Sequence, residues 1–279
     1  MTGPSRCFGH LSAAAGVEAM KSASYDTDLS DEQWCVLELL LPKAKKTGRP
    51  RTCLRRVINA ILYIVKTGCQ WASLPRDFPP KSTVHGFFRS WTRMGFIESL
   101  HARLRARARE AEGRRCRPTA AILDSQTVRS AGLAERAGYD GAKMTKGRKR
   151  FLLVDTLGHV LAVAVLPADV PERAGAKELL NDVLASPTWL KRLYVDGGFS
   201  GPDFAAHVAE LKPGLDVEVV KRSDATVGFK VLPKRWVVER TFGWLMHCRR
   251  LARDYERLSE SVAAWIHVAM IRIMLRRLA

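Results

Sequence analysis

The sequence predicts an α/β protein in which a mixed sheet is flanked by helices and preceded by a small all-α module. In the first hundred residues, helical periods are separated by proline breaks, and no strand pattern is seen. From residue 119 onward, short apolar runs typical of strands alternate with helical segments. The 279 residues are 47% hydrophobic, which is enough for a substantial core.

The composition indicates a polyanionic partner. Lys and Arg number 46 against 28 Asp and Glu, a net charge of +18. Such an excess repels itself unless a polyanion is the normal partner, so we expect nucleic acid, with an anionic membrane surface as the weaker alternative.

There is no apolar run long enough for a transmembrane helix and no signal peptide pattern, so we expect a cytoplasmic protein without membrane insertion. The six cysteines lack metal-ligand spacing and are expected to be buried apolar residues in a reducing compartment.

The pattern divides the chain into four segments. Residues 1–24 show no periodicity and are expected to be disordered, with translation beginning at Met1 or Met20. Residues 25–100 are predicted to form a helical, helix-turn-helix-like DNA-binding module. Residues 101–118, with seven arginines, are predicted to be an exposed basic linker helix. Residues 119–279 are predicted to form the α/β domain.

The predicted module has three helices and a basic loop. Ser30 begins the first helix through a capping box, and Ser82 is expected to cap the third. Between the first two helices, residues 43–56 hold seven basic groups and no acid. Arg49 and Arg51 are therefore predicted to contact DNA, the alternative being a solvated surface loop.

Strands and helices alternate in the second half. A hairpin is predicted with its turn after Asp155, which is expected to stabilise the turn rather than to take part in chemistry. Strands are predicted at 119–124, 150–155, 160–166, 193–196 and 217–221, and helices at 174–185, 202–211, from 233 onward and at 259–278.

Two aspartates, Asp124 and Asp196, are predicted to end buried strands. Open α/β sheets place their ligand-binding residues at such strand ends, so the carboxylates converge if the strands are neighbours. In the helical pattern of residues 231–250, Glu239 lies at the edge of the apolar stripe and supplies a third carboxylate. The alternative role for Glu239 is an ordinary salt bridge with Arg235, one turn earlier.

Three converging carboxylates predict a metal site. Like charges at short range raise one another's pKa, and a divalent cation removes that cost. Oxygen ligands suit Mg²⁺ or Mn²⁺, and a pair of ions about 4 Å apart is the arrangement used for phosphoryl transfer. The sequence therefore predicts two-metal phosphoryl transfer at Asp124, Asp196 and Glu239.

Further basic and aromatic residues are placed near this site by the sequence. A mobile basic loop that contacts the DNA backbone is predicted at residues 143–150, with plain surface as the alternative. Within residues 231–250, Trp236 and Trp244 are expected to pack in the core, although stacking on an unpaired base is the alternative. Gly243, a poor helix former, predicts close approach by a bulky group. The predicted DNA contacts are Arg49, Arg51, Lys143, Lys146, Arg148, Lys149, Arg150, Arg235 and Arg240.

Four motifs carry a resemblance to a known family. They are LSDEQWCVLELLLP, DSQTVRSA, GYDGAKMTKGRKRFLLVDTLG, and YVDGGFSG together with RWVVERTFGWLMHCRRL. Over residues 29–278 the chain resembles the DDE transposases of bacterial insertion sequences, which have an RNase H-like catalytic core. The resemblance implies that Asp124, Asp196 and Glu239 are the metal-binding catalytic triad and that Arg235 lies near DNA phosphate. It departs from the family at Met246 and His247, where another basic residue is usual.

The resemblance also implies an activity and its alternatives. The expected activity is cleavage at terminal inverted repeats followed by strand transfer into target DNA, with at least a dimer on the DNA. One alternative is a related metal-dependent nuclease that cuts without joining strands. The other is a non-catalytic DNA-binding protein derived from a transposase, which the intact set of three acids disfavours.

Overall fold

The computed structural model describes residues 25–43, 50–186, 188–220 and 234–279. The predictions for residues 1–24, for Arg49 and for a helix start at Pro233 lie outside these ranges. The described helices are α1 (Asp31–Glu38), α2 (Leu54–Thr67), α3 (Lys81–Arg93), α4 (Phe96–Ala111), α5 (Glu172–Leu184), α6 (Pro202–Leu211), α7 (Arg235–Met246), α8 (Arg249–Ala252) and α9 (Ser259–Leu278). The strands are β1 (Ala120–Arg129), β2 (Gly138–Asp140), β3 (Thr145–Asp155), β4 (Val160–Pro167), β5 (Arg192–Asp196) and β6 (Asp216–Val220).

The strands form one mixed sheet in the order β2–β3–β1–β5–β6, with β4 also paired to β3. β1 runs antiparallel to β3 and parallel to β5, and β5 runs parallel to β6. This is the predicted mixed sheet with an RNase H-like core. The predicted hairpin is β3–β4, and its turn is held by Asp155, whose Oδ1 accepts hydrogen bonds from the N–H groups of Leu157 and His159 at 2.9 Å each.

The sheet separates two apolar layers because successive side chains of a strand point to opposite faces. On β1, Ala121 and Leu123 face the layer that includes α5 and α6, whereas Ile122 faces the layer that includes α4, α7 and α9. β3 and β5 alternate in the same way. The three strands β1, β3 and β5 are therefore buried on both faces, which explains their continuous apolar runs in the sequence.

The helical module shares its core with the end of the chain. α9 packs against α1, α2, α3 and α4, and Trp265 on α9 is fully buried. The capping box of α1 forms as predicted at Ser30. α3 begins two residues earlier than expected, with Pro80 rather than Ser82 at the N-cap, since proline is tolerated where a helix begins.

The predicted exposed linker helix is wrong in its exposure and its bounds. α4 runs from Phe96 to Ala111, and its buried face includes Leu100, Leu104 and Ala108. Its arginines point to internal acceptors: Arg103 to the carbonyl of Leu40, Arg105 to that of Val160, Arg107 to that of Val36, and Arg109 to the carboxylate of Asp155. The helix connects the two halves by packing rather than by spanning solvent.

Two smaller expectations also change. The described part of the long helix ends at Met246, and a separate short helix, α8, follows. The cysteines were expected to be buried, but among the described residues only Cys248 is; Cys69 is partly buried, and Cys35, Cys53 and Cys116 are exposed. No helix in the described ranges is long and apolar enough to cross a membrane.

Candidate active site

The parallel register of β1 and β5 brings Asp124 and Asp196 together. The last paired residues are Leu123 and Val195, and the two aspartates follow directly at the same edge. The prediction that β1 ends at Asp124 is wrong: the strand continues to Arg129, because its other edge remains paired with β3. Asp124 therefore marks the end of the parallel pairing rather than the end of the strand.

The carboxylate of Asp124 has other negative charges close by. Its Oδ1 accepts a hydrogen bond from the Ser125 N–H at 2.7 Å. The pKa of Asp124 is raised to about 6, chiefly by burial and also by the charges of Asp196 and Glu172, against the opposing effects of the Ser125 hydrogen bond and Arg235. This is the behaviour of a carboxylate in a shared acidic site.

Helix α7 carries Glu239 to the same edge of the sheet, packing against β1, β3 and β5. In its first turn, Arg235 contacts both remaining acids: Nη2 lies 3.0 Å from Oδ2 of Asp196, and Nε lies 3.2 Å from Oε1 of Glu239. The salt bridge considered as the alternative role of Glu239 is therefore present. It extends to Asp196 and so ties α7 to β5.

The acidic residues supply suitable donors for a metal, although they are not arranged around one. Carboxylate oxygens are the ligands that Mg²⁺ and Mn²⁺ prefer. In the parts of the chain that the structure describes, no three acidic, histidine or cysteine side chains are grouped to hold a metal ion. The guanidinium of Arg235 contacts Asp196 and Glu239 instead. The donor chemistry of the three acids fits a divalent cation, and two of them contact Arg235 in this structure.

Sequence reasoning missed a fourth acid, Glu172, the first residue of α5. The Ser125 hydroxyl donates a hydrogen bond to its Oε1 at 3.2 Å. A Cβ added at Gly198 would lie 2.4 Å from Oε2 of Glu172 and 3.9 Å from Oδ1 of Asp196, so a larger residue there would require the Glu172 side chain to shift. An acid in the first turn of a helix is common for dipole reasons, and so its position in the sequence gave no distinctive signal.

The predicted mobile basic loop is wrong for its second half. Arg148, Lys149 and Arg150 lie in β3 and are buried. Their partners are internal: Arg148 donates to the carbonyls of Glu135, Glu256 and Arg257 and pairs with Asp254, Lys149 donates to the carbonyl of Val170, and Arg150 donates to the carbonyl of Leu251. Because the three side chains are buried and directed to these internal acceptors, they are inaccessible to a DNA phosphate.

Other predicted DNA contacts lie at the surface. Lys143, in the turn between β2 and β3, is exposed, with its Nζ 3.9 Å from Oε1 of Glu172. Lys146 is exposed on β3, and Arg51 is exposed while donating a hydrogen bond to the carbonyl of Pro42 at 2.7 Å. Their contacts with DNA remain predictions.

Arg240 lies between two tryptophans. Its Cζ is 4.4 Å from the ring centroid of Trp236 and 4.5 Å from that of Trp244, and Nη2 donates a hydrogen bond to the carbonyl of Leu157 at 2.9 Å. Core packing was expected for both tryptophans, but Trp236 is 39% exposed and Trp244 is only partly buried. Arg240 therefore ties α7 to the β3–β4 turn, and both faces of its guanidinium are covered.

Gly243, one turn after Glu239, does not have the bulky neighbour that was predicted. Among the described residues, no atom outside the local helix lies within 4 Å of a Cβ added there. The position is exposed, so this face of α7 is open near Glu239. His247 is likewise exposed at the end of the helix.

Two family models match consecutive parts of the chain. Residues 29–101 match the model described as "Putative transposase of IS4/5 family", and residues 115–274 match "Transposase DDE domain". The second match covers more than half of the chain and includes all three predicted site acids. The chain belongs to the DDE transposase family. Membership implies transposase activity and DNA as the partner.

Two curated relatives resemble part of this DDE transposase. "Insertion element IS402 uncharacterized 16.2 kDa protein" of Burkholderia cepacia is 31% identical over 117 residues, which are 39% of this chain and 78% of the relative. "Uncharacterized protein y4sN" of Sinorhizobium fredii (strain NBRC 101917 / NGR234) is 32% identical over 85 residues, which are 30% of this chain and 66% of the relative. The first of these places a relative of the chain in an insertion element.

Proposed function

We propose that this transposase cleaves DNA at the ends of its element and joins the freed ends to target DNA by two-metal phosphoryl transfer. The observation that carries the proposal is the parallel register that puts Asp124 beside Asp196, with Glu239 tied to Asp196 through Arg235. Its DNA partners would be the terminal inverted repeats and target DNA, bound by at least a dimer.

Asp124, Asp196 and Glu239 are the residues that would hold Mg²⁺ or Mn²⁺. When bound, such ions activate the attacking oxygen and stabilise the leaving oxygen of a phosphodiester. β1 and β5 fix the two aspartates, whereas Glu239 sits on a helix and is 53% exposed along its side chain. Glu239 therefore has room to adjust its position as the ligand set closes.

Arg235 is expected to change partners during the reaction. In the free protein it neutralises Asp196 and Glu239. When Asp196 and Glu239 hold a metal ion, the guanidinium of Arg235 would be available for a DNA phosphate, which it can contact through two donors at once. This exchange of partners would explain why Arg235 lies among the acids and is also expected near DNA.

The test compares metal binding and cleavage in matched variants. The variants are Asp124→Asn, Asp196→Asn and Glu239→Gln, with Asp182→Asn, an exposed acid on α5, as the control. We expect Mn²⁺ binding by calorimetry, in the presence of DNA, to be lost in the three site variants and retained in the control. Cleavage of supercoiled plasmid in Mg²⁺ should follow the same pattern, while DNA binding stays intact.

The outcomes separate the competing functions. Full cleavage by the Glu239→Gln protein would remove Glu239 from the assignment. Cleavage without joining of pre-cut ends by the wild type would favour the nuclease. Binding of DNA without metal binding or cleavage would favour a non-catalytic DNA-binding protein.

A further inference from the structure

The exposed face of α3 carries a row of basic side chains. Lys81, His85, Arg89 and Arg93 recur every four residues, so they lie along one side of the helix, and all four are exposed. The helix contains no acidic residue. Lys81 stands in the first turn, where the helix dipole disfavours a positive charge. Helix stability therefore does not explain why α3 carries this row of positive charges.

A second line, made of small residues, runs beside the basic one. Ser82, Gly86 and Ser90 are all exposed, and nothing lies within 4 Å of a Cβ added at Gly86. Gly86 costs roughly 1 kcal/mol of helix stability relative to alanine, and no packing in the described structure requires it. The small side chains let another molecule approach the backbone of α3 closely.

The opposite face of α3 holds the helix firmly in the core. Val84, Phe88 and Trp91 are buried, and the ring of Phe88 stacks on Trp265 of α9 with centroids 4.2 Å apart. The exposed face is therefore presented by a rigid element, which suits recognition.

The arginines of this face are not used inside the protein. Within the described ranges, Arg89 and Arg93 make no ion pair and no side-chain hydrogen bond, whereas the arginines of α4 bind internal acceptors. Together with Gly86, Ser90 and Met94 they line a shallow groove of about 410 Å³. Two guanidinium groups without internal partners, beside the row of small residues Ser82, Gly86 and Ser90, form a surface complementary to a polyanion.

We propose that α3 is the helix that enters the major groove of the DNA bound by this chain. The 13 residues of α3 span about 20 Å, and the major groove, about 12 Å wide, accepts a single helix. Ser82, Gly86 and Ser90 would face the base edges, while Lys81, Arg89 and Arg93 would reach the phosphates. The inference rests on the proposed DNA function and assigns the recognition of the element ends to one surface.

The test uses the full-length protein and duplexes selected by it. Wild-type protein is used to enrich a pool of random 30-base-pair duplexes. Fluorescence anisotropy then measures binding of the enriched duplex and of a scrambled duplex at several salt concentrations. The variants are Gly86→Gln, which adds bulk without charge, and the pair Arg89→Gln/Arg93→Gln. The control pair Arg114→Gln/Arg115→Gln removes the same charge from exposed positions beyond the far end of α4.

Each variant has a distinct expected result. Gly86→Gln should weaken binding of the enriched duplex roughly tenfold and change binding of the scrambled duplex by less than about twofold, because it blocks groove entry. Arg89→Gln/Arg93→Gln should weaken both duplexes and lower the slope of log affinity against log salt by about 2. The control pair should change the slope less.

Several results would overturn the inference. They are unchanged binding by Gly86→Gln, equal effects of the two arginine pairs, or failure of the wild type to enrich any sequence. Specific binding of an acidic protein at this face, with DNA binding unaffected by the variants, would assign the surface to that partner instead. Cleavage of supercoiled plasmid by the wild type in Mg²⁺ is measured in parallel. If the wild type cleaves but the α3 variants give one of the contrary results above, only the inference about α3 is wrong. If the wild type does not cleave, the proposed function is wrong.

Discussion

Helices α3 and α4 follow one another, and both are rich in basic residues, yet they use their charges in opposite ways. The α4 arginines donate to carbonyl groups of α1, of the segment that follows α1 and of β4, and to a buried carboxylate, so they connect the two halves of the protein. The described part of the chain offers no acidic partner to Arg89 and Arg93 on α3. The number of basic residues in a helix therefore does not show whether they are available to a partner; the internal contacts of each guanidinium do.

The clearest example of an internally used charge is the buried ion pair between Arg109 of α4 and Asp155 of β3. Arg109 and Asp155 lie 2.6 Å apart, and their side chains are 6% and 0% exposed. Burial raises the pKa of Asp155, but contacts with His159 and Arg109 outweigh it and hold that pKa below its usual value. Replacing Arg109 by methionine leaves a buried charge without its partner, so we expect a loss of about 3–5 kcal/mol in the free energy of unfolding.

Urea unfolding of Arg109→Met measures this loss. Arg114→Met, an exposed arginine beyond the same helix, is the matched control and should change stability by less than about 0.5 kcal/mol. A loss below about 1 kcal/mol for Arg109→Met would mean that α4 does not depend on its internal charges.

The second prediction concerns acid stability at the α4–α9 contact. The rings of His101 and His267 are buried with centroids 4.8 Å apart. Burial and the charge of Arg105 lower the pKa of His267 from 6.5 to about 4. Between these values the unfolded chain binds a proton that the folded chain excludes, so stability is lost as the pH falls from 6.5 towards 4. The shift corresponds to about 3 kcal/mol.

Unfolding of wild type and His267→Gln across this pH range isolates the contribution. The variant should lose less stability than the wild type on acidification, even if it is less stable at neutral pH. Parallel curves for the two proteins would show that His267 does not carry the effect.

The smallest expected effect on stability belongs to α3. Arg89→Ala and Arg93→Ala should each change the free energy of unfolding by less than about 0.5 kcal/mol, because their side chains are exposed and lack partners in the described structure. The same change at Arg103 and Arg107 of α4 should cost about 1 kcal/mol or more for each lost hydrogen bond. If the α3 variants lost as much free energy of unfolding as the α4 variants, the two helices would not differ in how they use their arginines.

Local signals in the sequence were sufficient for much of the fold. The capping box at Ser30 and the period of the α2 residues predicted helices that the structure contains, and the apolar runs before Asp124 and Asp196 predicted strands. These elements are determined by short-range propensity and by alternation, both of which can be read in a single stretch of chain.

The errors come from partners that are distant in sequence. The beginning of β3, TKGRKR, looks like a solvated loop, but Arg148 is buried because it meets carbonyls more than a hundred residues away. The continuation of β1 past Asp124 depends on pairing with β3, and the nearness of Glu172 to Asp196 depends on packing around Gly198. None of these contacts leaves a periodic trace in the sequence.

The position of α9 has a consequence for the synthesis of the protein. The core beneath the first four helices is completed by Trp265 and its neighbours on α9, which follow in the chain by more than 140 residues. A ribosome that has released only the amino-terminal helices has produced segments without the surface on which they pack. The helical module that includes α3 therefore reaches its final packing only after the segment that carries Asp124, Asp196 and Glu239 has been translated.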